Sequence, residues 1–156
     1  MTDPVPSSGD VRLVPVTDEL RSRIARLELA PGQENLVADN ASSLEEADED
    51  EDARPRAVFA GGELVGFLMY DATSDGDNAQ IYRFMIDRAF QGRGYGKAAL
   101  QLVLAEIKAL DYIRRVSICY EPENEGARQL YAKAGFVEDG LDEDGEMIAH
   151  LDLRNP

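Results

Sequence analysis

Gln91-Gly92-Arg93-Gly94-Tyr95-Gly96 sits between two periodic stretches. Residues 79–87 before it have the composition of a strand. Residues 97–110 after it carry Leu100, Val103, Leu104, Ile107 and Leu110 on one helical stripe. A strand, a glycine-rich turn and a helix start make a cradle for an anion. Glycine lets the backbone approach closely with its N–H groups converging, and the first turn of a helix adds unpaired donors and the positive end of the dipole. A phosphate is the expected occupant. Two common phosphate loops are excluded. A P-loop has Gly five residues ahead of its Gly-Lys pair and Ser or Thr after it, whereas Gln91 and Ala98 flank Gly96-Lys97 here. The dinucleotide fingerprint places its third glycine at position 97, which is Lys. A plain turn is the remaining alternative for the hexapeptide alone.

A second pattern lies one helix and one strand further on. Asn124-Glu125-Gly126-Ala127-Arg128-Gln129-Leu130-Tyr131-Ala132-Lys133-Ala134-Gly135-Phe136 opens with Asn and has Leu-Tyr in its middle. It closes on Gly-Phe. With Gln-x-x-Gly-x-Gly at 91–96, this pair of motifs resembles the GNAT N-acetyltransferase superfamily. The resemblance runs from about residue 11 to residue 153 and is strongest over 82–136. It implies an α/β fold of the GNAT type, a mixed, mostly antiparallel central sheet with helices on both faces. Acetyl-CoA is the implied cosubstrate, lying in the splay between the strands at 79–87 and 115–120.

The resemblance also implies roles residue by residue. The backbone of Phe84, Met85 and Ile86 pairs with the pantetheine arm, and an N–H near Met85 or Ile86 serves as an oxyanion donor. Gln91, Gly92, Arg93, Gly94, Tyr95, Gly96 and Lys97 hold the pyrophosphate. Asn124 hydrogen-bonds the cofactor arm. Tyr131 is the general acid for the leaving thiolate, a role suited to a phenol whose ordinary pKa is about 10; a packed aromatic is the alternative for that residue. Transfer is direct, without an acyl-enzyme. Cys119, on a central strand, reads as packing, and His150 as structural. The general base stays open, because the strand position that carries a carboxylate in some polyamine acetyltransferases is Tyr82 here. Glu34, Glu45 and Glu46 are the candidates.

Composition bounds the rest. The chain has 156 residues, one cysteine and a net charge of −15 from 16 basic and 31 acidic residues. The length suits one domain: a flexible tail at 1–10 and a single domain at 11–156. No disulfide or cysteine-based metal site is expected, and no metal. The absence of a long apolar run or a signal-like start argues against membrane and secretion, consistent with a cytoplasmic location. The acidic balance argues against nucleic acid and favours cationic small molecules; solubility or a salt-rich interior is the alternative. A homodimer is a possible assembly, though no stretch marks an interface.

Along the chain, a first strand covers Val11 to Val16, and Thr17 or Asp18 caps a helix with Leu20, Ile24 and Leu27 on one face. Pro31-Gly32 is its stop. Ser42 or Ser43 caps a second helix near Leu44. The acidic run 45–52 reads either as a solvated, partly disordered loop or as a negative rim. A strand at 57–60, a Gly61-Gly62 turn and a strand at 64–70 form a hairpin. Asp144-Gly145 turns the last hairpin. Segments 33–40 and 43–47, with Arg83 to Asp87 and Gly66 to Tyr70, match bacterial spermine/spermidine acetyltransferases most closely. In that reading Glu34, Asp39, Glu45, Glu46 and Tyr82 bind the amine. Another amine acceptor (a peptide N-terminus, a protein lysine, an aminoglycoside) or a CoA-binding module without turnover are the alternatives.

Overall fold

The computed structural model describes residues 10–28 and 40–153. Seven strands form one sheet in the order β1-β2-β3-β4-β5-β7-β6. They are β1 (Val11–Pro15), β2 (Ala53–Ala60), β3 (Glu63–Asp71), β4 (Asn78–Ile86), β5 (Arg115–Tyr120), β6 (Val137–Leu141) and β7 (Met147–Asp152). Only β4 and β5 run parallel. The chain crosses between them through α3 (Tyr95–Lys108), while the other pairs are antiparallel. This is the mixed sheet that the sequence implies.

Helices cover both faces. The stripe Leu100, Val103 and Ile107 of α3 packs in one apolar cluster with Tyr131 of α4 (Glu125–Lys133) and with Leu68, Ile81 and Ile118 from the sheet. On the opposite face, Leu20 and Ile24 of α1 (Asp18–Ala25) and Leu44 of α2 (Asn40–Glu49) pack on Phe59, Phe67 and Met69. Fully burying one such side chain contributes about 1.5–3 kcal/mol, so the two clusters hold the sheet firmly between them.

Several sequence expectations shift. α1 ends at Ala25, so Leu27 lies beyond it. α2 starts at Asn40, placing Ser42 and Ser43 inside the helix rather than at its cap. Asn40 is buried and donates through Nδ2 to the Ile24 carbonyl at 2.9 Å, tying α2 to α1. The acidic run is therefore helix as far as Glu49, not a solvated loop, and Asp48 is clamped by Arg21 at 2.8 Å. β2 begins four residues before the expected strand. Pro55 falls within it, beyond the β1 pairing that starts at Arg56, where a missing N–H disturbs no second ladder.

Candidate active site

β4 and β5 pair only from Asn78↔Arg115 to Ile81↔Ile118. Beyond those positions they part, and the wedge between them is the centre of the site. The cause lies in β4. Phe67 faces Met85 and Met69 faces Tyr82, so the single residue Leu68 stands opposite both Arg83 and Phe84. The extra residue is a bulge, which bends a strand and frees its outer edge. Arg83 takes φ = 57°, the one non-glycine residue in the left-handed region among those described.

The glycine loop follows at once. Asp87 accepts from Ala89 N through Oδ1 and from Glu28 N through Oδ2 at 2.7 Å, pinning the loop's entrance to the segment after α1. Gln91 donates from Nε2 to the Ile86 carbonyl at 2.8 Å, so its side chain closes the turn. Gly92 and Gly94 have φ of 80° and 85°, values that strain any residue with a Cβ. Gly94 is the N-cap of α3, which leaves the first N–H groups of that helix at the wedge.

Two cavities meet there. A groove of about 330 Å³ runs along the loop, lined by Phe84, Met85, Ile86, Gln91, Gly92, Gly94, Tyr95, Gly96, Lys97, Asn124 and Tyr131 together with Phe90, Gly126, Ala127 and Leu130. Arg93 is the one residue of the expected cofactor set outside it; its guanidinium lies over the Phe90 ring at 5.7 Å. The Tyr95 side chain is 1% exposed and belongs to the core, so its backbone is the part available to a ligand. A second, more polar cavity of about 250 Å³ lies across the wedge, lined by Gln80, Tyr82, Arg83, Cys119, Asp142 and Glu146 among others. Phe84, Asn124, Ala127 and Tyr131 line both.

Tyr131 stands at this junction, 5% exposed, against Phe84, Tyr120 and Phe136 at ring distances of 6.5, 5.3 and 5.8 Å. Burial chiefly, with Tyr120 adding to it, raises its phenol well above the usual range. The hydroxyl has no hydrogen-bond partner among the described residues. Asn124 caps α4, accepting from Ala127 N through Oδ1 at 3.2 Å, which leaves its amide N–H groups for a ligand. Tyr82 is pushed up to about 12 by burial and the charges of Asp50, Asp71 and Glu46.

The acidic residues expected to bind substrate divide. Glu34 and Asp39 lie outside the described residues. Glu45 is exposed on α2. Glu46 pairs with Arg83 at 2.8 Å, at the edge of the polar cavity. Sequence reasoning passed over Arg83, Asp142 and Glu146. Arg83 owes its place to the bulge, and in sequence the other two resemble any other acid in so acidic a chain. His150 hydrogen-bonds Asp139 at 2.7 Å within the β6–β7 hairpin.

A wedge between parallel strands, fed by a glycine loop at a helix start, agrees with the family model that the chain matches over residues 20–136, the Acetyltransferase (GNAT) family. The chain is a GNAT-family acetyltransferase. Its cosubstrate is acetyl-CoA. It is 30% identical over 150 residues to the spermine/spermidine N(1)-acetyltransferase of Bacillus subtilis (strain 168), covering 92% of this chain and 99% of that protein. The same figures hold for a probable spermine N(1)-acetyltransferase of Bacillus subtilis subsp. natto (strain BEST195). Solved structures share the fold. An acetyltransferase from Thermus thermophilus has TM-score 0.75 at 24% identity, covering 92% of this chain and 97% of that one. Aminoglycoside acetyltransferase AAC(6')-Ib in complex with coenzyme A has TM-score 0.77 at 16% identity, covering 92% and 95%. Among the described residues no helix is long and apolar enough to cross a membrane.

Proposed function

We propose that this protein transfers the acetyl group of acetyl-CoA directly to a primary amine of a polyamine such as spermidine. The observation that carries this reading is the meeting of two cavities at Tyr131, one beside the glycine loop and one bearing carboxylates. The long match to spermine/spermidine acetyltransferases supports the acceptor class. In this reading the N–H groups of the loop and of the α3 start hold the pyrophosphate. The freed edge of Phe84 to Ile86 pairs with the pantetheine arm and offers an N–H to the developing oxyanion. Asn124 orients the arm, and Tyr131 protonates the leaving sulfur. Glu46, exposed at the rim, attracts the distant ammonium groups of the acceptor, with Glu45 beside it contributing to the field.

Thiol release from acetyl-CoA, measured with spermine, spermidine, putrescine, an aminoglycoside and a peptide N-terminus, tests the acceptor. Saturable turnover strongest with spermidine or spermine is expected. Turnover confined to the peptide or the aminoglycoside rejects the polyamine reading, and acetyl-CoA binding without turnover on any amine rejects catalysis. The Glu45→Ala/Glu46→Ala pair is expected to raise the KM for spermidine about fivefold at low salt, because each lost rim charge is worth at most about 1 kcal/mol and Arg83 loses its ion-pair partner. An unchanged KM assigns those carboxylates to solvation.

The nucleotide end of the cosubstrate has its own electrostatic requirement. The chain has three lysines, and two of them, Lys97 and Lys133, line one cavity of about 440 Å³ between α3 and α4 that continues from the groove. In a protein of net charge −15 these cations offset repulsion of a polyphosphate. Lys133→Ala is expected to raise the KM for acetyl-CoA about fivefold at low salt, with the difference shrinking as salt screens the charge. The spermidine KM is the internal control and stays constant.

A further inference from the structure

We infer that Glu146, at the end of the turn that joins β6 to β7, is the carboxylate that receives the acceptor's reacting ammonium and removes its proton. The assignment rests on the acetyl-transfer reading above and supplies the base that the strand position of Tyr82 does not.

The geometry starts with Asp142. Its Oδ1 accepts from Asp144 N and Glu146 N, both at 2.9 Å, and its own N–H donates to the Glu146 carbonyl at 2.8 Å. With Gly145 at φ = 83°, this locks the turn and fixes where Glu146 leaves it. The Cys119 sulfur and one oxygen each of Asp142 and Glu146 lie within 4.8 Å of one another. Cys119 belongs to the stretch of β5 that has parted from β4, so Glu146 lines the polar cavity. That cavity shares Tyr131, Asn124 and Phe84 with the cofactor groove. Tyr131, buried and with an unpartnered hydroxyl, marks the point where both substrates converge.

Two other carboxylates near the cavity are committed. Glu46 is bound to Arg83, and Asp142 to the turn. The Glu146 carboxylate has no hydrogen-bond or ion-pair partner among the described residues. Facing it are Asp142 and Asp144 on its own hairpin, Cys119 and Glu121 from β5 and its end, Tyr82 and Arg83 from β4, and Tyr131 from α4. Burial, then Asp142, Glu121 and Asp144, raise its pKa, and Arg83 opposes them. A more basic carboxylate is a better proton acceptor near neutrality. The protonated amine gives one proton to Glu146, and its lone pair forms the N–C bond at the thioester carbonyl. The C–S bond then breaks, Tyr131 protonates the sulfur, and the nitrogen's second proton reprotonates the phenolate through the cavity. The proton held by Glu146 returns to solvent, so one proton is released per acetyl group.

Glu146→Gln keeps the volume and removes the base. At pH 7 its kcat/KM for spermidine is expected to fall about 100-fold, with the acetyl-CoA Kd unchanged. Without the base only free amine reacts. Its kcat/KM should therefore climb about tenfold per pH unit and meet the wild-type plateau at about pH 9, below the amine's pKa of about 10, while Glu146→Asp recovers part of the loss. Parallel wild-type and Gln profiles, or a changed acetyl-CoA Kd, would overturn the assignment. A readout independent of turnover is modification of Cys119 by a methanethiosulfonate reagent in the presence of coenzyme A. Spermidine is expected to protect the thiol, and Glu146→Gln to need about tenfold more of it, equivalent to about 1.4 kcal/mol. No protection in the wild type, or equal protection in both, also overturns it. The pH test is run on whichever amine turns over. A protein that acetylates a peptide N-terminus but ignores spermidine rejects the polyamine reading, while Glu146 stands or falls on that amine's profile.

Discussion

Tyr131→Phe is expected to lower kcat about 1,000-fold, within the range for loss of a positioned proton donor, while the acetyl-CoA Kd changes less than twofold. The substitution removes one oxygen that makes no hydrogen bond within the described chain. The ring keeps its contacts with Phe84, Tyr120 and Phe136, so packing and melting temperature stay near wild type. The raised phenol pKa does not disqualify the donor. It keeps the group protonated at every working pH. Burial raises the basicity of a thiolate formed at the same junction, just as burial, followed by Glu146 and Asp142, raises the Cys119 thiol. Donor and acceptor therefore move together, and proton transfer during C–S cleavage remains matched. Pre-steady-state thiol release separates this chemistry from product dissociation. Unchanged kcat would return Tyr131 to the role of a packed aromatic.

What was legible in the sequence follows from how each feature is encoded. Gly92 and Gly94 were readable because a left-handed backbone almost dictates the residue. Asn124 was readable because a helix start selects for a side-chain acceptor, and the same residue then borders the groove. The order of hairpins and helices followed from Gly61-Gly62, Asp144-Gly145 and the stripe of α3. The acceptor side has no such grammar. Glu146 matters because a turn knotted by Asp142 brings it against a strand far earlier in the chain. One glutamate among 31 acidic residues carries no local sign of that. At 45–49 two expectations compete, a helix starting near Leu44 and a solvated acidic loop, and the helix is what forms. The buried faces of Ser43 and Leu44, with Asn40 tied to α1, outweigh the local repulsion and hold a helix.

Beside the bulge, the close approach of β3 to β4 depends on Gly66. Gly66→Val is expected to destabilise the fold by about 3 kcal/mol, lowering the melting temperature by about 6–12 °C for a domain of this size. Gly66 pairs with Ile86, and a Cβ there would stand 2.5 Å from the Met85 carbonyl oxygen and 2.8 Å from Ile86 Cδ1. The side-chain atom can swing aside, but the carbonyl cannot move without shifting β4. Relief requires β3 and β4 to separate where Met85 and Ile86 border the cofactor groove. The KM for acetyl-CoA should therefore rise together with the loss of stability, before the protein melts. Gly62→Ala is the control: a Cβ at that position meets nothing within 4 Å, so neither melting temperature nor KM should move. If Gly66→Val melted like the wild type, the close approach of β3 to β4 would not be what shapes the wedge. If it melted early with acetyl-CoA affinity intact at low temperature, the glycine would serve stability alone.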